Sequence, residues 1–456
     1  MSDTTQTEAV FNPKPSLPPP PNTVGVMGWL RTNLFGGPFD TIVTLTCTAL
    51  ILYILANLFN WAIVYAVIDA KTYRGCLDAI GPDGEKVGHR GACWAGVVHW
   101  LNALIYGRYP DPEQWRVNLG GLLLISWMAP FWFPKVSGKI MVGASAVLLY
   151  PFLAAQLFLG GDMNVVMQVL VGAALAAYVF VWLHVISCYA SGKSIGEVLV
   201  NVTGFADKDD RLHKWVYLGA FGILLIAMVA YSSSWELEAV PTTNWGGLFL
   251  TLVISGIGIA SALPNGIILA LGRRSKMPVI KAFCIAFIEL FRSVPLITIL
   301  FMAVTMMPLF LPVEFNPPKL VMVIVAVCIF AAAYMAETVR GGLQAVNQGQ
   351  YEAAMAMGLN YWKMMTFIVM PQALKLMIPN IVGSFIGLMK DTTLVSIIGL
   401  YDIMLMAKAS GQNPNWLGLH HEPLLFTATL FFIFCLSMSK YSQYLERTIG
   451  GGYGRR

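Results

Sequence analysis

Residues 350–371 read QYEAAMAMGLNYWKMMTFIVMP. The stretch lies between two long apolar runs, yet Glu352, Lys363 and the central Gly358 bar it from crossing a bilayer itself. Residues 351–357 are rich in Ala and Met and favour a helix, which Gly358 can end in a left-handed conformation. Asn360 then supplies the cap of a second short helix through Tyr361, Trp362, Lys363 and Met364. Ala353 and Ala354 leave a shallow, small-residue surface beside Glu352 that suits a groove on a rigid partner, while Ile368 and Pro371 anchor the hairpin back toward the membrane. The competing reading is an ordinary surface hairpin of a membrane protein.

The spacing favours the first reading. Glu352, Ala353, Ala354, three residues, Gly358, nine residues, Ile368, two residues and Pro371 resemble the cytoplasmic coupling loop of binding-protein-dependent ABC importer permeases. Six positions fixed over about twenty residues are far more specific than a lone glycine pattern. The family usually has Leu where Met370 stands, a conservative difference. LGRRSK at 271–276, IELFRSVPL at 288–296, AETVRGGLQAV at 336–346 and LMKDTTLVSIIG at 388–399 look like the core of the polar amino acid branch of these permeases. Ser293 and Val294 stand where that branch usually has Gly-Thr. The segments CLDAIGPDG and GACWAG, with the extra N-terminal spans, are similar to the larger permease of general L-amino acid and glutamate/glutamine/aspartate/asparagine uptake systems.

Composition agrees with a membrane protein. Of 456 residues, 57% are hydrophobic and 12% charged, with mean hydropathy +0.66, against roughly 25% charged in a soluble chain. The net charge of +5 needs no nucleic acid, because Lys and Arg collect in cytoplasmic loops. Nothing at the N-terminus reads as a removable signal peptide; FNPKPSLPPPP at 11–21 reads as a polyproline or disordered arm.

A helical span needs about 20 apolar residues, and the runs at 41–68, 117–133, 140–159, 165–186, 215–231, 247–272, 279–311, 320–346, 376–400 and 423–441 supply about ten. The expected fold is an all-α polytopic membrane protein: a disordered cytoplasmic arm at 1–40, extra helices at 41–231 with a periplasmic loop at 69–116, a five-helix MetI-like core at 245–446 carrying the coupling loop, and a cytoplasmic tail at 447–456. Alternation puts Arg273, Arg274, Lys276, the coupling loop, Lys375 and the C-terminal basic residues on one side, the cytoplasm. Segment 187–214 falls there too. The 69–116 loop holds six basic residues, which a simple count would prefer inside, but long loops escape that rule more readily, six acidic residues accompany them and the cysteine pair favours the outside, so a periplasmic placement is expected. Cys76 and Cys93, its only cysteines, suggest a disulfide in an oxidising compartment; two unpaired thiols are the alternative.

Ionisable residues inside spans are functional candidates. Glu289 with Arg292, and Glu337 with Arg340, are three apart and can each pair on one helix face, either as plain helix-end ion pairs or as gating elements. Lys390, Asp391, Thr392 and Thr393 fall near the middle of a run that Pro379 and Gly383 weaken, where a broken helix would expose backbone groups to a zwitterionic substrate. A structural buried pair is the alternative. His420 and His421 are adjacent and read as solvent-facing rather than metal-binding, and no catalytic constellation stands out.

No GxxxxGK[ST] phosphate loop occurs, so ATP with its Mg belongs in a separate subunit and this chain is expected to bind no cofactor. The resemblance implies an ATP-driven amino acid importer in a bacterial inner membrane. Its partners would be two ABC ATPase subunits, a second homologous permease in a heterodimer, a periplasmic amino acid binding protein and the lipid bilayer. A secondary transporter or channel and a polytopic membrane enzyme are the other classes; the first would be expected to show repeated halves and the second clustered catalytic residues, and the sequence shows neither.

Overall fold

Within lipid a backbone must satisfy its own hydrogen bonds, and the apolar runs accordingly fold as helices, with no strand longer than an isolated bridge among the described residues. The computed structural model describes residues 25–133, 136–190, 210–312, 314–315 and 317–450. The proline-rich stretch 11–21, residues 191–209 of the expected cytoplasmic segment and residues 451–456 of the tail lie outside them. Two compact units divide the chain, Met1–Ala95 and Gly96–Arg456.

In the first unit, α1 (Gly25–Asn33) corrects the expectation that the arm is unstructured as far as residue 40. No proline falls between Asn22 and Gly37, so no missing N–H interrupts a helical ladder there. Helix α2 (Pro38–Phe59) starts with proline in its first turn, where the missing N–H is harmless, and a π turn carries it on to Val64. Beyond it the chain is clipped into a small cap. Cys76, in the short helix α3 (Tyr73–Leu77), is bridged to Cys93, with 5.7 Å between the Cα atoms. The Ala92 N–H donates to the Trp61 carbonyl and the Trp94 indole to that of Ala62, each at 2.8 Å. On the surface, the Lys86 ammonium donates to Asp78 at 2.7 Å and holds that carboxyl below its usual range.

The expected polar loop 69–116 is polar only in its first half. Trp94–Tyr106 forms a helix, α4. Its 13 residues are apolar but too short to span, and a reading averaged over the charges on either side concealed them. Next come α5 (Gln114–Met128), α6 (Lys139–Leu159), α7 (Val165–Ala190) and α8 (Asp210–Ser233). Arg116, fully buried, starts this group: it pairs with Glu113 at 2.7 Å and donates to the Glu238 carbonyl at 2.9 Å.

The C-terminal bundle is α9 (Gly247–Arg273), α10 (Pro278–Ser293), α11 (Leu296–Phe310), α12 (Lys319–Ala345), α13 (Gln348–Ala356), α14 (Tyr361–Met364), α15 (Met370–Asp391), α16 (Ile403–Ser410) and α17 (His421–Gly450). Among the described residues seven helices are long and apolar enough to cross a membrane, or eight if the bent pair α10 and α11 is one span. The expected run 215–231 lies within α8, and run 117–133 is α-helical as far as Met128, where α5 gives way to a 3-10 turn at Ala129–Trp132 around Pro130.

Two of the expected spans differ in shape. Run 279–311 is bent by 105° between α10 and α11, because Pro295 has no N–H to continue the ladder and forces Val294 into an extended conformation (φ −104°, ψ 132°). Run 376–400, expected to break near Pro379 and Gly383, is instead one continuous helix as far as Asp391. Lys390 and Asp391 therefore stand at its far end, about 30 Å of helix rise beyond Met370.

Small residues let the bundle close. A Cβ placed on Gly266 of α9 would lie 2.7 Å from the Met335 Cβ and 3.0 Å from the Ala336 nitrogen of α12; one on Gly342 of α12 would lie 2.7 Å from the Ala373 carbonyl oxygen of α15. The α6 and α9 helices meet through Phe158, Trp245 and Phe249, whose ring centroids lie 5.0 to 5.9 Å apart. At the same end Asp402 caps α16: its Oδ1 accepts from the Leu405 N–H at 3.0 Å, while Oδ2, buried, has no partner.

Replacing Gly266 by Leu should destabilise the bundle by about 1–3 kcal/mol through overpacking, whereas Gly256→Ala, with nothing within 4 Å of the added carbon, should not; thermal unfolding in detergent reads both. Burial pushes the Asp402 carboxyl up from 3.8 to about 6, with the Leu405 and Met404 amides and Lys408 pulling the other way. The folded state thus holds this proton more tightly than the unfolded chain, a contribution fully present below pH 3.8 and lost as pH rises through about 6. Asp402→Asn keeps the cap, and across that window it should gain about 3 kcal/mol relative to wild type; parallel pH profiles would contradict this.

Candidate functional site

The lever is built as its residue types require. Asn347 caps α13 by accepting from the Gly349 N–H at 2.8 Å, and Asn360 caps α14 by accepting from the Lys363 N–H at 2.9 Å. Between them Gly358 is left-handed (φ +71°), and the Leu359 N–H returns to the Ala354 carbonyl at 3.2 Å. Residues 365–369 make a π turn leading into α15.

Exposure corrects one expectation. Glu352 and Ala353 face outward, but Ala354 is 1% exposed and belongs to the core. The outward face is apolar rather than merely small: Met355, Met357, Tyr361 and Trp362 are all exposed, and nothing lies within 4 Å of a Cβ built on Gly358. The anchors are Met365 and Val369, both buried, with Ile368 half-buried and Pro371 exposed.

Behind the lever lies a cluster of charge. Glu337 and Arg340 pair as expected, with the Arg340 Nε donating to Oε2 at 2.9 Å and a second bond between Nη2 and Oε1. Glu289 and Arg292 do not pair with each other. Arg273 at the end of α9 donates to Glu289 at 2.9 Å and lies 3.6 Å from Glu337, while Arg292 lies 3.7 Å from Glu337. Spacing of three residues permits an intrahelical pair, but here a cation from a neighbouring helix comes closer. The outcome is one cluster of three arginines and two glutamates joining α9, α10 and α12.

Lys390 to Thr393 are arranged differently from a broken mid-span helix. Lys390 is exposed and Asp391 half-buried. The Thr392 and Thr393 hydroxyls donate to the Met389 and Lys390 carbonyls at 2.7 and 2.8 Å. Those bonds cap the end of α15. His420 and His421 are both exposed.

Sequence reading passed over Arg273 and Tyr351. The first was weighed only as part of a basic group marking the cytoplasmic side. Tyr351, immediately before the motif glutamate, is 8% exposed although it lies on a surface helix; an aromatic residue ahead of an Ala-rich amphipathic turn was the available signal.

Residues 262–451 match the model of the family described as binding-protein-dependent transport system inner membrane component. The chain is 36% identical over 440 residues to the inner membrane amino-acid ABC transporter permease protein YhdY of Escherichia coli K12, covering 96% of this chain and 97% of that one. It is 38% identical to the glutamate/glutamine/aspartate/asparagine transport system permease protein BztC of Rhodobacter capsulatus, covering 98% and 99%. The glutamate/aspartate import permease protein GltK of Escherichia coli O6:H1 is 33% identical, and there 48% of this chain covers 98% of the relative. About half of this chain therefore corresponds to a whole permease. With full-length relatedness at this identity and the family match over the C-terminal bundle, the chain belongs to the inner membrane components of binding-protein-dependent transport systems, the ABC transporter permeases.

Proposed function

We propose that this permease carries amino acids inward across a bacterial inner membrane, driven by ATP hydrolysis in partner subunits. The observation that carries the reading is the outward-facing, glycine-hinged lever of residues 350–371, apolar at its tip and backed by the charge cluster. A surface rich in exposed Met and aromatic side chains is suited to docking a protein, and the names of the full-length relatives support an amino acid as cargo.

In this reading two ATPase subunits, which bind ATP and Mg, grip the lever of this chain and that of a second, homologous permease, and a periplasmic binding protein delivers the cargo. Glu352 makes the polar contact, and Met355, Met357 and Trp362 the apolar one. Closure of the ATPase pair pushes α13 toward the bundle. The cluster of Arg273, Glu289, Arg292, Glu337 and Arg340 then rearranges as the inner gate. At the opposite end Lys390 offers an ammonium to a substrate carboxylate, and Asp391 a carboxylate to a substrate amine, with Thr392 and Thr393 fixing the helix end that carries them.

Gly358→Val should disrupt the hinge, since a β-branched residue in the left-handed region costs at least about 1–2 kcal/mol. The expected result is normal membrane insertion with loss of ATPase co-purification and of uptake of radiolabelled amino acids. Unaltered uptake in that variant would remove the lever from the mechanism.

A further inference from the structure

Tyr351 sits where the lever meets the bundle. Its ring is buried, and its hydroxyl is used twice: it donates to the Leu343 carbonyl at 3.0 Å and accepts from the Arg274 guanidinium at 3.1 Å. The same guanidinium lies 5.6 Å from the centre of the Tyr351 ring. Leu343 belongs to the last turn of α12, whose carbonyls have no partner within the helix. Arg274 ends α9, where a cation complements the helix dipole. One phenol thus ties two helix ends to α13, and a phenol can do so because it is donor and acceptor at once.

Arg274 is the neighbour of Arg273, and Arg273 binds Glu289 of α10 and Glu337 of α12. From the lever to the charge cluster a route therefore runs through the Tyr351–Arg274 hydrogen bond, the peptide bond that joins Arg274 to Arg273, and the Arg273 ion pairs. Met364, Met365 and Val369 also pack the lever into the apolar core, but without polar contacts; the hydrogen bond from Gln372 to Gln350 at 3.1 Å is exposed and leads to the start of α15.

We infer that Tyr351 is the positioning residue through which displacement of the lever reaches the charge cluster, with Arg274 as its counterpart on α9. The hydroxyl acts by holding the guanidinium against the carbonyl end of α12. If α13 is pushed inward, the Tyr351 oxygen carries Arg274 with it, and the Arg273 contacts to Glu289 and Glu337 shift in turn. The inference rests on the lever being the site of ATPase contact, as proposed above, and adds the route inward from it.

The test uses the full assembly, with its ATPase, second permease and binding protein, reconstituted in liposomes. Uptake of a radiolabelled mixture of protein amino acids is divided by ATP hydrolysed. Tyr351→Phe keeps the buried ring and loses both hydroxyl bonds, and Arg274→Gln breaks the same contact from the other side. Each should lower the uptake per ATP about tenfold, the worth of roughly the one charge-assisted hydrogen bond that both variants lose, Arg274 to Tyr351. The double variant should be no worse than either single one, since all three lose the same link. An unchanged ratio in Tyr351→Phe overturns the inference. So does a fall in uptake and hydrolysis in equal proportion with a lowered unfolding temperature, which marks a merely structural role, and so do additive losses in the double variant. If the wild-type assembly moves no amino acid at all, the functional reading fails first and takes the inference with it.

Discussion

Glu337 has one carboxylate to offer three guanidinium groups. Two oxygens provide about four acceptor positions, and Arg340 of its own helix takes the best of them in a two-bond pairing, leaving Arg273 and Arg292 at 3.6 and 3.7 Å. Such a cluster cannot be optimal for every member at once. A charge left without a counter-charge beside an apolar bundle is costly, so the ends of α9, α10 and α12 must converge if the arginines are to share the two glutamates. Four of the side chains are about a quarter to a third exposed and Glu289 is more than half exposed, and screening by water keeps the cluster adjustable rather than locked.

Convergence of the three helices also depends on what is absent from their surfaces. At Gly266 the α9 backbone lies against Met335, and at Gly342 the α12 backbone lies against Ala373. Without a hydrophobic drive between helices in lipid, close backbone approach supplies the attraction. The glycines thus set the separation at which the arginines and glutamates can reach one another, and a side chain in the seam acts on the cluster from a distance.

Much of this was legible beforehand, and the failures have physical causes. The lever could be read because its signals are local: the Asn360 cap, a glycine stop and fixed spacing lie within one short stretch, whereas the Asn347 cap before the motif was seen only in the structure. Pairing at Glu337 and Arg340 was legible for the same reason. Glu289 was misread because spacing along one helix says nothing of Arg273, sixteen residues away and on another helix. Pro379 was overrated as a breaker, since a helix packed on both sides retains its course through one proline. The inward turn of Ala354 was hidden because alanine carries no hydrophobic signal strong enough to choose a face.

The 105° corner at Val294 and Pro295 separates Glu289 and Arg292 from everything beyond Leu296. A straight rod crossing the bilayer would pass any torque at its inner tip to its outer tip. Here the hydrogen-bonded ladder is severed at the corner, so no backbone hydrogen bonds carry a twist of α10 into α11. The two arms are thus jointed rather than continuous, and either can tilt without dragging the ladder of the other.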